Sequence, residues 1–136
     1  MRVSFSRVSS STQRRDFSRN SRIFESPHKN YVVNQIIQYF NKHYSEKISL
    51  DQIAQNMYLS TLYISKLFKS ETGDTPINYL IQLRMEKARK LMETEPASSI
   101  QSIASQVGYE DAYYFSKLFK KHFGVSPSKY RSTFKI

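Results

Sequence analysis

The chain has 136 residues, a formal net charge of +10, a pI near 9.8 and no cysteine. The missing cysteine excludes disulfides, thiolate nucleophiles and cysteine-ligated zinc. No apolar stretch approaches the ~20 residues that cross a bilayer. A basic field of this strength favours a polyanion, nucleic acid first and an anionic membrane surface second.

Residues 1–30 hold seven Arg/Lys against two acids, while residues 31–136 hold fourteen against nine. The first segment, 1–26, is rich in serine and arginine and keeps no period of 2 or 3.6. With few large apolar residues it cannot offset the entropy of ordering, so it reads as a flexible basic leader. Its composition faintly resembles an organellar transit peptide, and a secretory apolar core is absent. Ser26 and Pro27 suit the cap and first turn of a helix. Val32 or Val33, Ile36, Ile37, Phe40 and Tyr44 then follow at helical spacing, predicting an amphipathic helix over 27–44.

Ser49 opens a short helix with Leu50, Ile53, Ala54 and Met57 inside, and a break falls at 56–59. Ser60 or Thr61 caps the next helix, which buries Leu62 or Tyr63, Ile64, Leu67 and Phe68 and stops at Thr72–Gly73. Thr75–Pro76 starts a long helix to about Glu93. Its apolar set is Ile77, Leu80, Ile81, Ala88, Leu91 and Met92, with Arg84, Lys87, Arg89 and Lys90 making other faces positive. A linker at 95–98 follows.

Ser99 then caps a helix with Ile100, Ile103, Ala104 and Val107 inside, and Gly108–Tyr109 makes a turn. Asp111 caps a helix carrying Tyr114, Phe115, Leu118, Phe119 and Phe123. Gly124 stops it, and Pro127 begins a short last helix with Tyr130. No strand pair is predicted. The expected fold is all-α, about seven helices, with two helix-turn-helix subdomains at 27–93 and 97–134 joined by the long linker helix.

The two halves repeat each other. ISKLFK at 64–69 recurs as FSKLFK at 115–120, an offset of 51 that also relates Gly73 to Gly124, Pro76 to Pro127 and Tyr79 to Tyr130. Upstream the offset is 50, pairing Ser49 with Ser99, Ile53 with Ile103 and Ala54 with Ala104. One residue has therefore been added between Ala104 and Phe115.

A short helix, a tight turn and a second helix with a polar outer face is the layout that places the second helix in a major groove. Packing the apolar side inward leaves Thr61, Leu62, Ser65, Lys66 and Lys69 outward in the first copy. In the second it leaves Ala112, Tyr113, Ser116, Lys117 and Lys120. Serine and lysine can donate to base edges or phosphates, while Leu62, Ala112 and Tyr113 can meet thymine methyls. Ser60, Lys69, Arg84, Lys87, Lys120 and Lys121 are the phosphate candidates.

The run from Ile48 to Arg131 resembles the double helix-turn-helix DNA-binding domain of the AraC/XylS transcriptional regulators. The residues that carry the likeness begin with Ile53–Ala54, 66–69, Gly73, Pro76, Tyr79, Arg84, Ala88–Arg89 and Leu91. They continue with Ile103–Ala104, Val107–Gly108–Tyr109, Tyr114–Phe115, SKLFKKHFG at 116–124, Pro127 and Tyr130–Arg131. The resemblance implies a bacterial, cytoplasmic, nucleoid-associated regulator, usually an activator, that reads successive major-groove segments of duplex DNA with two helices and engages RNA polymerase. Position by position it carries base-facing roles to Leu62, Ser65 and Lys66, and to Ala112, Tyr113, Ser116 and Lys117.

Members often have Arg or Gln where this chain has Leu62, Ser65, Ala112 and Tyr113, so direct hydrogen-bond readout is expected to be sparse, with more weight on shape and phosphates. Many members also carry a sensing or receiver domain that thirty residues cannot form. The expectation is a stand-alone short regulator or the C-terminal piece of a longer chain, monomeric as this domain and able to dimerise through another.

His28, His43 and His122 stand isolated, and Glu93/Glu95 and Glu110/Asp111 sit at helix termini, where capping explains them. No phosphate loop or activated nucleophile is present, so neither enzyme activity nor a cofactor is expected. The competing reading is a helical protein that binds RNA or an anionic membrane by charge alone, through Arg2 to Arg22.

Overall fold

Five helix starts are fixed by serine or threonine caps whose hydroxyls take up free N–H groups of the first turn. In the computed structural model, which describes residues 21–133 with side chains from Lys29 onward, seven helices follow in order. They are α1 (Ser21–His43), α2 (Leu50–Asn56), α3 (Thr61–Thr72), α4 (Pro76–Thr94), α5 (Ile100–Gln106), α6 (Ala112–Phe123) and α7 (Pro127–Ser132). No strand occurs among the described residues. Helix α1 begins at Ser21, upstream of the start expected from Ser26–Pro27, so that pair lies within the helix and is not its boundary. The flexible leader inferred for 1–26 otherwise lies outside the described residues.

Ser49 Oγ accepts from Gln52 N–H at 3.2 Å, Ser60 Oγ from Tyr63 at 3.0 Å, Thr75 Oγ1 from Asn78 at 3.2 Å, Ser99 Oγ from Ser102 at 3.0 Å and Ser126 Oγ from Lys129 at 3.2 Å. Asp111 caps α6 with one carboxylate oxygen shared by the Tyr113 and Tyr114 N–H groups. Gly73 and Gly124 end α3 and α6 in the left-handed conformation, both at φ 85°. A capping side-chain oxygen therefore starts, and a left-handed glycine stops, both second helices.

The helices enclose two apolar cores. The first gathers Val32, Val33, Ile36 and Phe40 of α1, Ile53 and Ala54 of α2, Ile64, Leu67 and Phe68 of α3, and Leu80 of α4. The second gathers Met85, Ala88 and Met92 of α4, Ile103, Ala104, Val107 and Tyr109 around α5, and Phe115 and Phe119 of α6. Helix α4 thus gives its first half to one core and its second half to the other, and at ~1.5 Å per residue its 19 residues span ~28 Å. Tyr44, just past α1, packs against both cores. Neither Leu62, 65 % exposed, nor Tyr63, 39 % exposed, is buried as spacing suggests, and three further positions differ from the expected inward set. Ile77 is 52 % and Tyr114 49 % exposed, whereas Met85 is fully buried.

The two turns superimpose in hydrogen bonding until the added residue. Leu59 N–H reaches Ala54 C=O at 2.9 Å, and Tyr109 N–H reaches Ala104 C=O at 2.8 Å. The preceding residues, Tyr58 and Gly108, both have positive φ, 58° and 98°. After Leu59 the next residue is the cap Ser60, but after Tyr109 comes Glu110 and only then the cap Asp111. Glu110 is the added residue.

Candidate nucleic-acid interface

Helices α3 and α6 are each twelve residues long and end on glycine, and each presents an outer stripe at i, i+1, i+4 and i+5 from its first residue. On α3, Leu62 is 65 % exposed, Lys66 and Lys69 are exposed, and Ser65 is half-buried. Thr61 is also half-buried, and its hydroxyl donates to Asp51 Oδ1 at 2.6 Å, tying the start of α3 to α2. On α6, Tyr113 is 72 % exposed and Lys117, Lys120 and Lys121 are exposed. Ser116 is half-buried, and Ala112 is half-buried against the second core. Lys117 Nζ lies 5.3 Å from the centre of the Tyr113 ring, an arrangement that holds the ammonium near the middle of the stripe. The first copy has Leu62 in place of that ring.

The phosphate candidates fall in three groups. Lys69, Lys120 and Lys121 lie in the last turns of α3 and α6, where a cation also complements the helix dipole. Ser60 is exposed, with its oxygen already capping α3. Lys87 is half-buried, its ammonium 5.4 Å from the centre of the Tyr44 ring.

Arg84 does not belong with them. It is buried, 8 % exposed, with Nε donating to Tyr44 C=O at 2.9 Å and Nη2 to Glu46 C=O at 2.8 Å. Its guanidinium carbon lies 4.9 Å from the centre of the Tyr109 ring. With two of its donors on internal carbonyls and its face against an aromatic ring, Arg84 is an internal group, not the exposed cation expected from its place on a positive helix. The opposite omission concerns Tyr63 and Tyr114, exposed by 39 % and 49 % at matching positions just after the caps. Their shared offset of 51 was the available signal.

Burial raises the Tyr109 phenol above its ordinary range, and the nearby Arg84 charge pulls partly the other way. Burial also raises the Tyr79 phenol. Neither group titrates near neutrality in a way that would alter the stripes.

Two short helix-turn-helix units on one linker helix, each showing a lysine-bearing second helix, define a double helix-turn-helix DNA-binding domain. Residues 53–133 match the family model described as a helix-turn-helix domain. The chain belongs to the AraC/XylS family of transcriptional regulators. It is 42 % identical over 108 residues to the uncharacterized HTH-type transcriptional regulator YdiP of Escherichia coli K12, covering 79 % of this chain and 35 % of that one. It is 37 % identical over 109 residues to the lactose operon transcription activator of Staphylococcus xylosus, covering 77 % and 39 %. The chain therefore spans little more than a third of these curated relatives. Among solved structures, the C-terminal domain of AraT, a response regulator from Geobacillus stearothermophilus, is similar with a TM-score of 0.72 and 41 % identity, covering 77 % of this chain and 87 % of that one. The DNA-binding domain of AdpA, solved in complex with a target DNA, gives a TM-score of 0.71 at 25 % identity over 76 % and 92 %.

Proposed function

We propose that this chain is a sequence-specific reader of duplex DNA that inserts α3 and α6 into successive major-groove segments and regulates transcription, as an activator that engages RNA polymerase. The observation that carries this reading is the repeated lysine-bearing face on two equally built helices fixed to one linker helix. A linker of ~28 Å plus the bodies of the helices at its ends approaches the ~34 Å between adjacent groove turns. One polypeptide then does the work of a dimer of single modules, so the site need not be palindromic.

Leu62, Ser65, Lys66, Tyr113, Ser116 and Lys117 meet base edges, with Thr61 and Ala112 at the rim of each stripe. Lys69, Lys120 and Lys121 meet phosphates, and Ser60 and Lys87 stand beside them. The role is binding and needs no cofactor. It places the protein in the bacterial cytoplasm with the nucleoid, monomeric through this domain and dimeric only through another.

Selection of bound duplexes from a random pool tests the reading, and two short preferred blocks about one helical turn apart are expected. Lys66→Ala and Lys117→Ala should each weaken binding to the selected duplex by about 1–3 kcal/mol and relax preference within one block only. Unchanged affinity in both variants would refute the assignment. Removing residues 1–20, which leaves α1 intact, should preserve block-specific binding. If that removal abolishes all binding, the charge-driven RNA or membrane reading takes its place.

A further inference from the structure

The two helix-turn-helix units meet at one crowded point. Arg84 leaves the middle of α4 and donates to two carbonyls, Tyr44 and Glu46, in the segment that joins α1 to α2. The turn of the second unit closes on it from the other side. A Cβ on Gly108 would lie 2.7 Å from Tyr44 O and 2.9 Å from Arg84 Cζ, closer than carbon atoms tolerate. Tyr109, the next residue, lays its ring against the guanidinium. Backbone of the first subdomain, the linker helix and the turn of the second subdomain are thus in mutual contact through one side chain.

We propose that Arg84 is a positioning residue that fixes the second reading helix relative to the first, and so sets which separation and phase of two DNA blocks the domain accepts. This rests on the two-block reading above. A guanidinium suits the task because it is planar: its in-plane N–H groups hold two carbonyls while its face takes an aromatic ring, so its orientation is fixed in three directions. An ammonium can satisfy carbonyls but has no face to stack. The comparison within the chain supports the assignment. The residue that matches Gly108 in the first turn is Tyr58, whose side chain is 95 % exposed, so the first turn is clamped by nothing at this position. Only the turn that must be held against the other subdomain has the glycine and the arginine beneath it.

The test reads geometry and recognition separately. The chain has no cysteine, so Glu71→Cys and Gln101→Cys, exposed sites on α3 and α5, accept spin labels directly. Pulsed electron resonance should give one narrow distance distribution for the parent and a broadened or shifted one in Arg84→Met and Arg84→Lys, with helicity by circular dichroism retained. On DNA, Arg84→Met should lose at least about tenfold in affinity for a selected two-block duplex, because the second contact is no longer delivered at high effective concentration. It should bind single-block duplexes as the parent does and should discriminate less against duplexes with one or two base pairs inserted between the blocks.

An unchanged distance distribution in folded Arg84 variants overturns the proposal, as does an equal loss on one-block and two-block duplexes. Should Arg84→Met not fold, Arg84→Lys and Gly108→Ala, which presses on the junction from the opposite side, decide the matter by the same label distances. If the parent selects only one block, the two-headed reading fails, and the label distances alone decide whether Arg84 fixes the subdomains.

Discussion

At position three of each turn the chain solves one backbone problem in two ways. Both turns need a left-handed residue, yet the first supplies Tyr58 at φ 58° and the second Gly108 at φ 98°. A side chain in this region costs roughly 1–2 kcal/mol from the contact of Cβ with the following carbonyl. Tyr58 is almost wholly exposed and gains no packing in return. Tyr58→Gly should therefore stabilise the fold by up to about 1 kcal/mol, the relief being partly cancelled by the greater freedom of glycine in the unfolded chain. Gly108→Ala should act in the opposite sense, by about 1–3 kcal/mol or more, because its Cβ meets a backbone oxygen and a held guanidinium. Thermal or denaturant unfolding of the two variants checks the pair, and equal signs would mean that the local backbone governs both. Tyr109 adds a pH dependence at the same junction. Its phenol is raised by burial, so the neutral form is favoured in the folded state. The stabilisation from that neutral form is complete below the unfolded value of about 10 and is lost as pH rises through the higher folded value. Tyr109→Phe should remove part of the alkaline fall in melting temperature that the parent shows.

The helices themselves were largely legible in the sequence because each carries its own start and stop. Caps at Ser49, Ser99 and Asp111, proline at 76 and 127 and glycine at 73 and 124 act within a few residues, where sequence spacing equals spatial proximity. Asp111→Ala should destabilise by about 1–2 kcal/mol, since one carboxylate serves two N–H groups, and Ser60→Ala by about 1 kcal/mol. Both losses should appear in unfolding experiments on the free protein. For Ser60 this separates a capping role from a phosphate contact, which would show only with DNA present. What spacing could not supply was tertiary. Arg84 sits among lysines on a face that reads as solvated, and its acceptors are main-chain carbonyls 38 and 40 residues upstream, which no residue type announces. Met85 lies outside the apolar set that helical spacing gives, although a buried methionine beside a buried arginine is what a helix shared by two cores requires. Ile77 and Tyr114 fell on the inner side of an ideal helical wheel. They are exposed because α4 changes partners along its length and because Tyr114 leans outward, edge-on to Tyr109 at 5.9 Å. The start of α1 departs from its sequence signal for a related reason: a serine followed by proline signals a first turn locally, while the helix continues upstream of it.

On the scale of the whole molecule, the net charge of +10 and the two stripes make different demands on DNA. Charge spread over the surface attracts any duplex, whereas in the function proposed above the lysines in the last turns of α3 and α6 meet particular phosphates once the helices are seated. Salt separates the two contributions from that of Arg84. Each lysine that neutralises a phosphate releases counterions on binding, so its loss lowers the magnitude of the slope of log K against log salt by about 0.9. Lys69→Ala, Lys120→Ala and Lys121→Ala should each flatten the slope by that amount and weaken selected and unrelated duplexes alike. Lys87→Ala should flatten it less, because its ammonium already rests on the Tyr44 ring and the side chain is partly buried. Arg84→Met should leave the slope on the two-block duplex unchanged while lowering the affinity, since the same phosphates are met and only their tethering is looser. Titrations at several salt concentrations, with one two-block and one unrelated duplex, measure all of these together. A slope that flattens in Arg84→Met would place that arginine on a phosphate after all, against its burial beneath the second turn.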